Sequence, residues 1–251
     1  MKVSIVTAYY NRKQLLINTL NTIKKTSHND YEMIVVDDCS DDEHRIESLI
    51  DEYSFLKVIR LERKDKWYSN PCIPFNIGFK NVTGDVVIIQ NPECLHVGDV
   101  ISHVVENMKE NNYFSYSCYS ATEGTTNNLK NYDLTENNIK ENIIFNNRTV
   151  GSDGDSGWYN HPIFRPKGYH FTSAIMKKNL DELGGFDERY ANGIGYDDDE
   201  FLRRISQRYN VKFIENPFTI HQYHYNISNN YTIENAAEKV RINRDIFNQT
   251  I

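Results

Sequence analysis

Apolar and polar positions alternate in blocks through the first 110 residues. Lys2–Thr7 is an apolar run of strand length, and Lys13–Lys25 places Leu16, Leu20 and Ile23 at helical spacing. Glu32–Val36 predicts a second buried strand, ending in the acidic loop Asp37-Asp38-Cys39-Ser40-Asp41-Asp42. A helix is expected over Glu43–Tyr53, a strand over Phe55–Leu61 and a helix over Pro74–Asn81, closed by the turn Thr83-Gly84-Asp85. Val86–Gln90 reads as a nearly all-apolar strand and Val97–Lys109 as a further helix. Such alternation predicts an α/β fold, with a mostly parallel central sheet flanked by helices. Ligands of these sheets gather at the carboxyl ends of the strands, which puts Thr7–Asn11, Asp37–Ser40 and Asn91–Glu93 on one rim.

The pattern then loosens. Ser115–Cys118 predicts a strand, and Ala121–Gly157 is a polar insertion with a short helix near Leu134–Ile144. HFTSAIMKKNLDELGGFDE, from His170, combines a short strand and a helix. Asp198–Tyr209 predicts a helix, Val211–Ile214 a short strand and Thr232–Phe247 a final amphipathic helix. No internal repeat or linker interrupts the chain, so one domain over 1–251 is expected, with an elaborated C-terminal half.

Composition narrows the partners. The chain has 251 residues and is 39% hydrophobic, enough for a sizeable core. Acidic residues outnumber Lys and Arg 35 to 28, a net charge of -7 that argues against a nucleic-acid binder. A nucleotide needs only a local site and stays compatible. Cys39, Cys72, Cys94 and Cys118 form no CxxC pair, which speaks against a structural zinc site or a disulfide framework. No apolar run reaches bilayer length, and the opening MKVSIVTAYYN enters a strand pattern directly, without a signal-peptide core. A soluble, cytoplasmic protein is expected, with peripheral membrane association left open. Asn-x-Ser/Thr triplets at Asn81, Asn147, Asn226, Asn230 and Asn248 then reflect asparagine richness rather than glycosylation.

Several constellations carry candidate chemistry. Asp37 and Asp38 follow a buried strand, where they serve either as a cap and turn or as acceptors for a nucleotide base N–H. Asn91-Pro92-Glu93 also ends a strand, and Glu93 is an exposed-rim carboxylate suited to a hard divalent cation. Gly193-Ile194-Gly195-Tyr196-Asp197-Asp198-Asp199-Glu200 is the sharpest feature. Four acids before a helix complement its dipole, but two glycines would also let the backbone approach a substrate, and one carboxylate can act as general base. His221-Gln222-Tyr223-His224 closes a strand-like segment, and either imidazole can join Glu93 at a metal or simply pack. His161, Pro162 and Arg165 lie among Trp158, Tyr159 and Phe164, a composition that suits sugar rings or an ordinary packed loop.

In order, VSIVTAYYNR, EMIVVDDCSDD, NIGFKNVTGDVVIIQNPE, LGGFDERY and GIGYDDDEFLRR resemble the motifs of the family 2 glycosyltransferases with a GT-A fold, over most of 1–110 and 170–225. Gly193–Glu200 is also similar to the galactosyltransferase acidic motif. The resemblance implies a nucleotide-sugar-binding half at 1–110 and an acceptor-binding, catalytic half at 111–251. It implies inverting transfer of a hexose or N-acetylhexosamine from a UDP-sugar donor to a glycan, glycoprotein or other hydroxyl acceptor. Thr7, Ala8 and Tyr9 correspond to the loop around the base, Asp38 to the base-binding aspartate and Asn76 to a common asparagine of the donor-side helix. Glu93 matches the last acid of the Asp-x-Asp motif that binds Mn²⁺ or Mg²⁺. His224 is the better candidate for the distal metal ligand and His221 the second. Asp198 matches the general base, with Asp197 beside it. Two departures stand out. Asn91 replaces the first acid of the metal motif, and Ile194 replaces the tryptophan of the galactosyltransferase motif. Rival readings are a degenerate nucleotide-sugar or glycan-binding module, which Asn91-Pro92 favours, and a sugar nucleotidyltransferase, which Thr7–Arg12 disfavours for want of glycines.

Overall fold

The computed structural model describes residues 1–151, 154–224 and 232–249. The four early apolar runs form β1 (Val3–Tyr9), β2 (Tyr31–Asp37), β3 (Leu56–Arg60) and β4 (Val86–Gln90), paired in parallel in the order β3-β2-β1-β4. The sheet continues through β5 (Cys94–Val97), β6 (Asn112–Ser120), β7 (Gly157–Asn160), β8 (Thr172–Met176) and β9 (Asn210–His221). The full order is β3-β2-β1-β4-β8-β6-β9-β5, with β7 on β6. Among the described residues four pairings are parallel and four antiparallel, so the parallel character belongs to the first four strands and to β6–β9.

Side chains of a strand alternate between faces, and each face has its own helices. Val3, Ile5, Met33, Val35 and Ile88 face α1 (Lys13–Ile23) and α3 (Val100–Asn107). Val6, Ile34, Val36, Val87 and Ile89 face α2 (Cys72–Phe79), and α6 (Lys177–Leu183) and α7 (Asp197–Arg208) pack into the same cluster. Each fully buried aliphatic side chain contributes about 1.5–3 kcal/mol. Short helices α4 (Glu123–Asn128) and α5 (Glu136–Asn142) lie in the polar insertion. The last helix, α8 (Ile233–Gln249), packs on the 3-10 turn Glu188–Asn192. Among the described residues no helix is long and apolar enough to cross a membrane.

Three expectations change. The helix over Glu43–Tyr53 is instead two 3-10 turns, Asp42–His44 and Glu47–Asp51. Arg45 is extended between them, and the Tyr9 hydroxyl donates to the His44 carbonyl at 2.7 Å, where a helical N–H would otherwise bind. The helix expected from Val97 starts at Val100, because Gly98 adopts φ +82° and Asp99 caps it by accepting from the Ser102 N–H at 3.0 Å. The residues before it form β5. The strand expected over Val211–Ile214 extends to His221, with decisive consequences for the site. Positions Asn226 and Asn230, and residues 152 and 153 of the polar insertion, lie outside the described residues.

Candidate active site

The strand ends meet at one rim. After β1, Asn11 sits at φ +51° and its side chain pairs reciprocally with Asp41, donating to Oδ2 at 2.7 Å and accepting the Asp41 N–H at 2.9 Å. After β2, buried Asp37 accepts from Arg60 at 2.7 Å and from the Ser40 N–H at 2.9 Å, so it braces the loop. Asp38 accepts from Lys66 Nζ at 2.6 Å and from the Tyr68 hydroxyl at 2.7 Å. Lys66 also lies 5.4 Å above the rings of Tyr10 and Tyr68.

The expected base loop divides by strand parity. Thr7 is buried, Ala8 half-buried, and the Tyr9 ring is in the core beneath α1, with its hydroxyl on His44. Tyr9 thus offers no ring to the rim. Its neighbour Tyr10 does, beside Lys66 and Asp38. Asn76 is engaged elsewhere: its amide donates to the Phe186 carbonyl at 2.9 Å and to Glu188 at 3.1 Å and accepts the Phe186 N–H at 2.8 Å. It clamps α2 to the loop after α6.

Glu93 lies in the three-residue connection between β4 and β5. The antiparallel register of β5 and β9 sets Cys94 opposite His221, which brings the end of β9 back to Glu93. Gln222 fixes that approach, since both its backbone N–H and its side-chain amide donate to the Glu93 carbonyl at 3.1 Å. Glu93 Oε1 is 3.0 Å from His221 Nε2 and 3.3 Å from His224 Nε2, while Arg12 donates to Oε2 at 3.0 Å. One ligand atom from each of Glu93, His221 and His224 lies within 4.8 Å of the others. Burial would raise the Glu93 pKa, but the Arg12 guanidinium and the two imidazole contacts outweigh it and hold the carboxyl well below the usual range. A carboxylate and two imidazoles are a suitable donor set for a divalent cation, and the cluster can chelate one. Both histidines reach Glu93. Glu93 itself is 1% exposed rather than solvated.

The four acids at the start of α7 take four different partners. Asp197 is buried and accepts from the Asn70 amide at 2.9 Å. Asp198, with 38% of its side chain exposed, contacts His170 Nδ1 at 2.7 Å. Asp199 accepts from the Tyr169 hydroxyl at 2.7 Å. Glu200 takes Arg204 in a two-point contact, both arms at 2.7 Å, and Arg204 also donates to the Leu183 and Gly185 carbonyls. Burial and the neighbouring Asp198 charge raise Asp197 to about 6. Burial would lower the His170 pKa, but Asp198 and then Asp197 overcome it and raise it. The His170 ring is held edge-on between Phe75 at 5.3 Å and Phe186 at 4.9 Å.

Gly193 faces a neighbouring helix rather than open space. A Cβ on Gly193 would lie 2.0 Å from Asn243 Oδ1, so this glycine admits α8, whose Asn243 donates to the Tyr190 and Gly195 carbonyls. Gly195, at φ +69°, turns the chain into α7. Trp158 and Tyr159 are likewise buried in packing, with Trp158 against His161 at 4.3 Å and Tyr159 stacked on Phe171 at 4.6 Å.

The acid run and the cation cluster are neighbours through residues 170 and 171. Asn91 N–H donates to the Phe171 carbonyl at 3.1 Å, the Phe171 ring packs edge-on against His221 at 5.7 Å, and His170 holds Asp198. Arg12, Tyr10, Lys66 and His170 were not singled out by sequence. A lone basic or aromatic residue has no periodic signal, and only the folded rim gives each a partner.

The helix-flanked sheet is an α/β fold of the GT-A class seen in family 2 relatives. The chain belongs to glycosyl transferase family 2, whose profile matches residues 4–168. It is 33% identical over 112 residues to a dolichol-phosphate mannosyltransferase of Pyrococcus furiosus, covering 43% of this chain and 30% of that protein. It is 29% identical over 119 residues to an uncharacterized glycosyltransferase of Rickettsia felis, covering 47% of this chain and 19% of that protein. The chain therefore spans less than a third of either relative's length. Among solved structures, S. aureus TarS in complex with UDP-GlcNAc is similar at TM-score 0.60 and 16% identity, over 97% of this chain and 65% of that one. The mannosyltransferase PcManGT from Pyrobaculum calidifontis, in complex with GDP-Man and Mn²⁺, is similar at TM-score 0.52 and 17% identity, over 88% of this chain and 56% of that one. At such identities the likeness concerns the fold.

Proposed function

We propose that the protein is an inverting, metal-dependent glycosyltransferase that moves a hexose or N-acetylhexosamine from a UDP-sugar to a hydroxyl acceptor, a glycan or glycoprotein among them. The observation carrying this reading is the convergence, on the rim of a family 2 fold, of a Glu93–His221–His224 cluster and a partly exposed Asp198. Asp198 is the proposed general base. His170 occupies one of its oxygens and orients the carboxylate, leaving the other to take the proton of the acceptor hydroxyl as the hydroxyl oxygen bonds to the anomeric carbon and the nucleoside diphosphate leaves. Asp197 stays behind it as a buried neighbour on Asn70. Asp38, Lys66 and Tyr10 line the proposed base pocket, where Asp38 exchanges one of its two donors for a base N–H. Half-buried Asn91 and the backbone of Thr7 and Ala8 border the donor. Glu93, His221 and His224 would hold Mn²⁺ or Mg²⁺, which would supply positive charge to offset the negative charge developing on the diphosphate. The solved neighbours with UDP-GlcNAc and with GDP-Man and Mn²⁺ support a nucleotide-sugar donor. The intact Glu–His–His cluster favours an enzyme over a degenerate binding module.

Replacing Asp198→Asn tests the assignment. Transfer should fall by about 10²–10⁴-fold while donor affinity is kept, because only the proton acceptor is lost. Turnover near that of the unaltered protein would refute Asp198 as base.

A further inference from the structure

Between α1 and the polar insertion lies a cleft of about 450 Å³, within the size range of small-ligand sites. It is lined by none of the residues proposed to hold the donor, the cation or the acceptor. Buried Thr22, Leu95 and Leu129 form its floor. Both walls are anchored on the two residues that follow β9. Asn18 of α1 donates to the Gln222 side chain at 2.8 Å, and the Thr126 hydroxyl of α4 accepts the Tyr223 N–H at 2.8 Å. The cleft is therefore preformed, and a ligand entering it need not order its walls.

The lining is rich in donors. Gln14 donates to Asn18 Oδ1 at 3.1 Å and the Tyr53 hydroxyl to Asn21 Oδ1 at 2.9 Å, so both asparagine oxygens are already engaged. The amide N–H groups of Asn21 and Asn127 have no acceptor among the described residues. Lys25 and Lys130 also line the cleft, and neither pairs with a carboxylate within 4.0 Å among the described residues. No described Asp or Glu lines it, in a chain whose acids outnumber Lys and Arg 35 to 28. Asp99 and Asp133 lie in an adjoining hollow of about 210 Å³, where Asp99 is engaged by Ser27 and Ser102. Ammonium and amide donors suit an acceptor-rich, anionic ligand. Amides also pair with hydroxyls, and the leucines suit the C–H face of a sugar ring.

We propose that this cleft binds an acidic saccharide, a sugar ring carrying a carboxylate or a phosphate. Its anion lies on Lys25 and Lys130 and its hydroxyls on Asn21 and Asn127. The site is outside the rim and does not depend on reading the rim as a transferase site.

The test is titration of the ¹⁵N-labelled full chain with D-glucuronate, glucose 6-phosphate, glucose and inorganic phosphate, followed by ¹⁵N–¹H NMR. The side-chain amide signals of Asn21 and Asn127, assigned through Asn21→Ala and Asn127→Ala, report on the cleft directly. At least one acidic sugar should shift both signals, with a Kd about tenfold or more below that of glucose. Whichever of glucuronate and glucose 6-phosphate binds tighter identifies the anion as carboxylate or phosphate. Lys25→Gln and Lys130→Gln alter exposed residues, and thermal melts confirm their folding. Each should weaken that sugar by about tenfold. Unshifted asparagine signals with both acidic sugars, glucose binding as tightly, or unchanged affinity in both lysine variants would overturn the proposal. Inorganic phosphate binding as tightly as the acidic sugars would mark an adventitious ion only and overturn it as well.

Discussion

Four consecutive acids at the start of α7 have four different physical states. Glu200 is neutralised by Arg204, Asp199 receives a phenol, Asp198 faces His170 and solvent, and Asp197 is buried beside that charge. Asp197 has the plainest consequence for pH. Its pKa rises from 3.8 to about 6, so between those values the folded protein holds a proton that the unfolded chain has released. The contribution of Asp197 to stability therefore falls as pH rises from about 4 to about 6. His170, also raised, loses its contribution only at higher pH, above its unfolded value of about 6.5. Thermal melts across this range should show the unaltered protein losing Tm relative to Asp197→Asn as pH rises. A constant difference between the two would contradict the raised pKa. From sequence, Asp198 is legible because acids precede a helix within an ordered motif set. His170 is not, because its partner lies 28 residues away and only packing between Phe75 and Phe186 aims its ring.

Among the elements, β9 decides the site. Its first residues read as a short strand and the stretch ending at His221 as strand-like, but polar Glu215 and Asn216 interrupt the apolar pattern between them, so the two do not read as one element. The continuation is stabilised by pairing with both β5 and β6, a long-range effect invisible to local periodicity, and it delivers His221 to Glu93. α1, β1, β2, β4 and α7 were legible within a few residues, since their burial follows one period throughout. α8 was legible as a helix but not as the partner of Gly193. Gly193→Ala should destabilise the fold by about 1–3 kcal/mol, because the added methyl meets Asn243. Asn243→Ala removes its hydrogen bonds to Tyr190 and Gly195, each worth about 0.5–1.5 kcal/mol. Urea unfolding of the double variant should cost less than the two singles together, since truncating Asn243 clears the space. Strict additivity would show that Gly193 is not there for α8.

At the scale of the whole molecule, one sheet links a parallel first half to a mixed second half, and the rim between them draws on both. The first half supplies Arg12, Asp38 and Glu93; the second supplies His170, Asp198, His221 and His224. The net charge of -7 thus says little by itself, because most rim carboxylates are matched by a cation, a phenol or an amide. The fold was largely readable from alternating strands and helices. The site was readable in part: the motif order already joined Glu93 to His221 or His224, whereas the places of Arg12, Tyr10, Lys66 and His170 depend on register and on strand ends far apart in sequence. Glu93, His221 and His224 are the proposed cation site of a nucleotide-sugar enzyme. Crystals grown with Mn²⁺ and UDP, measured at the manganese absorption edge, test it directly. The expected result is an anomalous peak bonded to Glu93 and at least one of the two histidines and touching the diphosphate. UDP bound on the rim with no peak there, or a peak at other residues, would contradict it.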